Sequence, residues 1–279
     1  MTAHFSAFSF VDRISDLIDG KRARGVFWVP DGVGSFPSCL AAEAVGQLAA
    51  WVAMSQVDFR VRPVAALATE TRFPGTVAPG DTLELAVNIE DCDDNMVAYG
   101  GSASVDGRQV IELVHCLGPM LPVEQFDAPE ALRERLLLLR DQGAPRGRFQ
   151  GVDAPAATPV EHVPGKSMRA MLHVPRQATF FADHFPRKPV FPATLLLDAQ
   201  MRVATELVEK SCGAQFAHPA ASRMTNFKMR AFIAPGDDVE LGATLSGQDA
   251  RAARVSLSAR LAGKTVATAR LEFAAREPA

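Results

Sequence analysis

Apolar residues recur along this 279-residue chain in two rhythms. Two stretches, CLAAEAVGQLAAWVAM within Ser38–Val57 and TLLLDAQMRVATELV within Ala193–Lys210, are apolar on nearly every side. Such a stretch predicts a helix that other elements must enclose. Each follows a proline, Pro37 or Pro192, which suits helix entry. Downstream, the rhythm changes to alternation. Thr82–Val87 and Val97–Val105 read as strands in the first half, and Val239–Leu245, Arg254–Leu261 and Val266–Phe273 in the second. Pro-Gly-Asp and Asp-Gly act as turn signals beside them.

The order helix, then strands, occurs twice because the chain repeats itself. Pro79-Gly80-Asp81 and Pro235-Gly236-Asp237 lie 156 residues apart, as do Gly107 and Gly263. Phe36-Pro37-Ser38-Cys39-Leu40 answers Phe191-Pro192-Ala193-Thr194-Leu195 at an offset of 155. A repeat of this length points to a duplicated structural unit. A helix enclosed by an antiparallel meander makes each unit α+β, and the duplication fits a dimer fused into one chain. The expected organisation is a first unit over 1–125, a helix and linker over 126–164, and a second unit over 165–279. Ala128–Gln142 reads as an amphipathic helix capped by Asp127. The Gly-, Pro- and Ala-rich stretch after it reads as linker.

Composition narrows the function classes. Hydrophobic residues at 48% and charged residues at 22% suit a soluble globular protein. A net charge of -3 argues against a dedicated nucleic-acid binder. No apolar run reaches the ~18 residues of a membrane span, and the start MTAHFSAFSF does not read as a leader. Cys39, Cys92, Cys116 and Cys212 are scattered, which suggests neither a zinc site nor a disulfide framework. A cytoplasmic location is expected. Cys39, at a helix start, reads as core. The histidines at 4, 115, 162, 173 and 218 share no spacing and are assigned nothing.

The densest chemistry lies in His184-Phe185-Pro186-Arg187-Lys188-Pro189-Val190-Phe191-Pro192-Ala193-Thr194-Leu195-Leu196-Leu197-Asp198-Ala199. This block resembles the beta-hydroxyacyl-acyl-carrier-protein dehydratase signature, HFPGxPxxPGxLxxEAxxQ, in which some members carry Asp for Glu. Val11–Gly25 resembles that family's opening strands, and both Pro-Gly-Asp strands match as well. The resemblance implies a double hotdog, in which each repeat is a central helix wrapped by an antiparallel sheet. It also implies an active site made of a histidine from one unit and an acidic residue from the central helix of the other.

At the repeat offset, the first-half counterpart of His184 is Val29, and that of Asp198 is Glu43. Glu43 lies in Leu40-Ala41-Ala42-Glu43-Ala44-Val45-Gly46-Gln47, a full match to LxxEAxxQ, whereas the second half has Arg202 at the glutamine position. One site then joins His184, Glu43 and Gln47. The other, Val29 with Asp198, lacks a base. There Asp198 and Arg202 stand four apart on one helical face, placed to pair, and this second site reads as retired.

The residue types suit dehydration of a 3-hydroxyacyl thioester. Imidazole can take the C2 proton, and a carboxyl whose pKa is raised by burial can protonate the leaving hydroxyl. Gln47 can hold that carboxyl. Helix-start N–H groups at Ala193 or Ser38 can face the thioester oxygen. No metal or organic cofactor is required beyond the phosphopantetheine that carries the substrate. The expected partners are acyl carrier protein and an acyl thioester, with no nucleic acid or membrane; pairing into a homodimer stays open. Three positions depart from the signature glycines: Arg187, Ala193 and, in the first half, Ser38. Arg187 and Lys188 are either a carrier-protein contact or an ordinary solvated pair. Competing functions are a hotdog thioesterase or isomerase, and a non-catalytic acyl-binding subunit.

Overall fold

The computed structural model describes residues 7–213 and 216–275. Expectations resting on residues 1–6, namely the absence of a leader and the setting aside of His4, lie outside the described residues. Two compact units interleave along the chain. The first comprises the described residues up to Ala66, with Pro74–Asp153 and Gln177–Val190. The second comprises Leu67–Phe73, Ala154–Arg176 and the described residues from Phe191 onward. These units differ from the contiguous spans drawn on the sequence. Residues 126–153 join the first unit, and so does the stretch around His184.

The first unit has an antiparallel sheet in the order β1 (Arg13–Ile18), β2 (Arg22–Trp28), β5 (Thr82–Cys92), β6 (Met96–Val105) and β7 (Arg108–Pro122), with β3 (Val61–Pro63) paired to β7. Helix α1 (Ser38–Gln56) packs on this sheet. Along β5 the alternation is plain: Leu83, Leu85 and Val87 are buried while Glu84 is exposed. From α1 come Leu40, Val45, Leu48, Trp51 and Val52, all buried. Burying one such side chain stabilises the fold by about 1.5–3 kcal/mol. Helix and sheet approach so closely that a Cβ on Gly101 would stand 2.7 Å from Val45 Cγ1 and 2.6 Å from the Ala86 carbonyl oxygen. A side chain at Gly101 would push α1 off β6.

The second unit repeats the plan. Its sheet runs β4 (Leu67–Arg72), β10 (Ala220–Met229), β13 (Lys264–Ala274), β12 (Ala252–Leu261), β11 (Asp238–Gln248), β9 (Ser167–His173) and β8 (Thr158–Val163). Helix α3 (Ala193–Ser211) packs on β11, β9 and β12. Both units are hotdogs, and the α+β double-hotdog class read from the sequence holds.

The repeated turns behave alike. In each Pro-Gly-Asp turn the glycine has a positive φ, 90° at Gly80 and 89° at Gly236. The aspartate carboxylate accepts a backbone N–H three residues back at 2.7 Å, from Ala78 or Ala234. The hairpin turns Asp106-Gly107 and Ala262-Gly263 place both residues at positive φ, as two-residue hairpins require.

Some elements differ from expectation. Helix α2 (Pro129–Asp141) forms, but its N-cap is Ala128 and no side chain caps it. The Asp127 carboxylate accepts the N–H of Ala128, its own neighbour, at 2.9 Å. Part of the stretch read as linker is the edge strand β8. Strands β7 and β10 escape a period-2 reading because each is irregular. The ladder slips beside His115 (φ 49°) in β7 and Asn226 (φ 54°) in β10, and the alternation shifts face there.

Candidate active site

His184 belongs to the first unit, although its sequence block lies in the second repeat. Its loop opens on a one-turn helix, Thr179–Ala182, that buries Phe180 and Phe181. The His184 N–H then donates to the Phe180 carbonyl at 2.9 Å. Phe185 packs with Phe126 and Val190 in a small apolar cluster. The His184 ring stacks on Phe185, centroids 4.1 Å apart at 23°, and meets the Phe8 ring edge-on at 5.4 Å. Nδ1 stands 3.1 Å from the Val190 carbonyl oxygen. A carbonyl only accepts, so this contact assigns the proton to Nδ1 and leaves Nε2 with its lone pair.

Glu43 and Gln47 stand one turn apart on α1. The Gln47 amide donates to Glu43 Oε1 at 3.0 Å and to the Phe8 carbonyl at 2.9 Å, and its oxygen accepts the Phe10 N–H at 2.8 Å. Gln47 thereby fixes the Glu43 carboxyl and ties residues 8–10 to the helix. On the other side, the Asp183 carboxylate accepts the Phe8 N–H at 2.9 Å and that of Ala7 at 3.3 Å. Residues 7–10 therefore strap α1 to the His184 loop. Burial pushes the His184 pKa below its usual value; the Glu43 charge and the Val190 carbonyl oppose this, while Arg62 adds to it. The structure thus brings together His184, Glu43 and Gln47. Ser38, the first residue of α1, lies in the same unit.

Ala193 opens α3 in the second unit, which also carries Asp198 and Arg202. Arg202 and Asp198 do form an ion pair at 2.6 Å. Burial raises the Asp198 pKa against the pull of Arg202. Arg187 and Lys188 are exposed. Arg187 does not adopt a positive φ, so the missing signature glycine imposes no strain. Its N–H donates to the Phe126 carbonyl at 3.0 Å and its guanidinium to that of Glu124 at 3.2 Å.

The pairing of Val29 with His184 by constant offset needs correction. The Val29 N–H donates to the Asp81 carbonyl at 2.9 Å, and its carbonyl accepts the Gly80 N–H at 3.0 Å. Val174 makes the same two bonds, with Asp237 at 2.9 Å and Gly236 at 3.1 Å. Val29 therefore corresponds to Val174. Six residues separate Val29 from Phe36, but sixteen separate Val174 from Phe191. The first repeat has not replaced a histidine; it lacks the loop that carries one.

Sequence reasoning missed Phe8, Asp183 and Arg62. Asp183 adjoins His184, a signal that was available. Arg62 had none: it enters the site from β3, a three-residue strand with no pattern of its own.

Comparison with known proteins bears on both halves. A FabA-like domain model matches residues 33–114, and an ApeI-like model, described as ApeI dehydratase, matches residues 160–270. A 3-hydroxyacyl-[acyl-carrier-protein] dehydratase FabZ from Rickettsia bellii is 33% identical over 98 residues, covering 35% of this chain and 68% of the relative. The protein of that name from Herpetosiphon aurantiacus is 34% identical over 120 residues, covering 39% of this chain and 85% of the relative. Among solved structures, one described as an oleoyl thioesterase from Lactobacillus plantarum superposes with a TM-score of 0.61 at 10% identity, over 92% of this chain and 97% of that one. At that identity the likeness concerns the fold alone.

Proposed function

The chain belongs to the hotdog dehydratase family, and on that premise we propose that it converts 3-hydroxyacyl thioesters on acyl carrier protein to trans-2-enoyl thioesters, in fatty acid or polyketide synthesis. One observation carries the reading: the Val190 carbonyl occupies the Nδ1 side of His184, leaving Nε2 as a base in the unit where Gln47 holds Glu43. His184 Nε2 takes a C2 proton. The electron pair forms the C2–C3 double bond as the C3–O bond breaks, and Glu43 protonates the departing hydroxyl, which leaves as water. Returning the proton from His184 to Glu43 resets the site. Negative charge on the thioester oxygen falls to backbone N–H groups at the start of α1, at Ser38, in the unit that holds His184. Proton transfer of this kind proceeds with side chains alone, so phosphopantetheine enters as the substrate's carrier. The exposed Arg187 and Lys188 flank His184 and suit an acidic carrier protein.

The reaction belongs in the reducing cytoplasm, where four free thiols persist. Among the described residues, no helix is long and apolar enough to cross a membrane. Incubation with 3-hydroxyacyl-carrier substrates, followed by mass spectrometry, is expected to show loss of water. Release of free thiol without loss of water would point to a thioesterase. Carrier binding without either product would point to an acyl-binding subunit.

A further inference from the structure

Arg62, on β3, brings a buried charge into the first unit. Its guanidinium carbon lies 4.0 Å from the centre of the Phe185 ring, the same ring on which His184 stacks, and 5.9 Å from that of Phe126. Its Nε is buried and has no hydrogen-bond partner among the described residues. A buried donor without a partner is costly, and a merely structural position would select a residue without it. Burial lowers the Arg62 pKa to about 10, against the pull of the Asp127 and Glu43 charges.

The charged groups around His184 come from several elements. Glu43 lies on α1, Arg62 on β3 and Arg135 on α2, with Asp127 just before it. The loop itself adds Asp183, Arg187 and Lys188. Arg135 and Asp127 approach to 4.0 Å. The carboxylate of Asp183 accepts backbone N–H bonds from Ala7 and Phe8, and Arg187 reaches out to the Glu124 carbonyl. Glu43, Asp127 and Asp183 are the acidic groups there, and Arg62 and Arg135 the basic ones drawn in from β3 and α2. Without Arg62, a positive charge that opposes protonation of His184 would be lost, and a protonated ring is no base.

We propose that Arg62 is a positioning residue: pinned on Phe185, the ring on which His184 stacks, its positive charge opposes an imidazolium there, so that His184 stands ready as a neutral base. The proposal rests on His184 being the base of the reaction above.

The test is a titration of His184 by NMR on isotope-labelled histidine in the full chain, assigned with the His184→Ala variant, for the native protein, Arg62→Met and Arg62→Lys. Removing the charge in R62M should raise the midpoint by on the order of half a pH unit or more. R62K, which keeps the charge but not the planar stack, should titrate near the native value. In kcat/KM the acid limb should move upward for R62M and stay for R62K. R62Q substitutes if R62M does not fold. An unmoved His184 midpoint in R62M, or equal shifts in R62M and R62K, overturns the proposal. The titration needs no turnover. A shifted midpoint in a protein that dehydrates nothing would therefore sink the dehydratase reading and leave the Arg62–His184 coupling standing.

Discussion

Helices α1 and α3 follow the same Phe-Pro entry, have the same length and each crosses an antiparallel sheet, yet they carry opposite chemistry. On α1 the carboxyl of Glu43 is held by a neutral amide, Gln47, which also grips the strap at residues 8–10. On α3 the carboxyl of Asp198 is neutralised by the cation of Arg202. The loops before them differ more. That before α1 is short, and that before α3 is ten residues longer and delivers His184 to the first unit. A duplicated fold can thus keep both scaffolds while the chemistry concentrates in one. The scaffold depends on buried apolar positions, whereas the site depends on a few polar neighbours.

The sharpest way to break this contrast is to remove the polar groups one helix at a time. His184→Ala and Glu43→Gln should each lower dehydratase kcat by about 10²-fold or more, while Asp198→Asn should leave it unchanged. A loss of turnover in D198N equal to that in E43Q would reverse the assignment of the two halves.

The first unit also carries a buried carboxyl at its edge. Asp12, which accepts the Trp28 N–H at 2.8 Å, has its pKa raised by burial to about 6, opposed by that bond and by Arg146. The folded state therefore binds this proton more tightly than the unfolded chain. The Asp12 contribution to stability is present below about pH 4 and lost as pH rises through about 6, by at most about 3 kcal/mol. Asp12→Asn keeps an oxygen acceptor and removes the titration. Denaturant melts should show the native protein losing stability relative to D12N between these values. Parallel curves for the two proteins would exclude Asp12 as the titrating group.

A third contrast lies on the sheet-facing side of the helices. Val45 of α1 is fully buried, and at the repeat offset α3 has Gln200, 1% exposed, with neither amide atom partnered among the described residues. Gln200→Leu should stabilise the protein by about 1–3 kcal/mol, the usual penalty for a buried unpaired group. A lower melting temperature would instead show that the amide has partners in solution.

The smallest effect belongs to the ion pair. Arg202 is more than half exposed, at 56% of its side chain, so its loss in Arg202→Met should cost no more than about 1 kcal/mol. The Asp198 pKa is already raised by burial and should rise further without Arg202. The R202M deficit should then appear at neutral pH and shrink in acid as Asp198 takes up its proton. A deficit independent of pH would mean that Arg202 acts through packing of its stem.

Much of this was legible in the residues. The two enclosed helices, the Pro-Gly-Asp turns and the strands between them followed from periodicity, because a buried face writes itself into every second or every third-to-fourth residue. The Asp198–Arg202 pair followed from helical spacing alone. Strands β7 and β10 did not, since a left-handed residue inside each moves the alternation to the other face. Local order in the sequence thus determined the duplicated unit of enclosed helix and antiparallel strands, and the resemblance to the dehydratase signature marked His184, Glu43 and Gln47. Only the tertiary structure decided that Val29 answers Val174, that residues 7–10 strap α1 to the histidine loop, and that Arg62 stands against Phe185. Those facts depend on contacts between residues far apart in the chain, set by loop length and ladder register, and no local pattern records them.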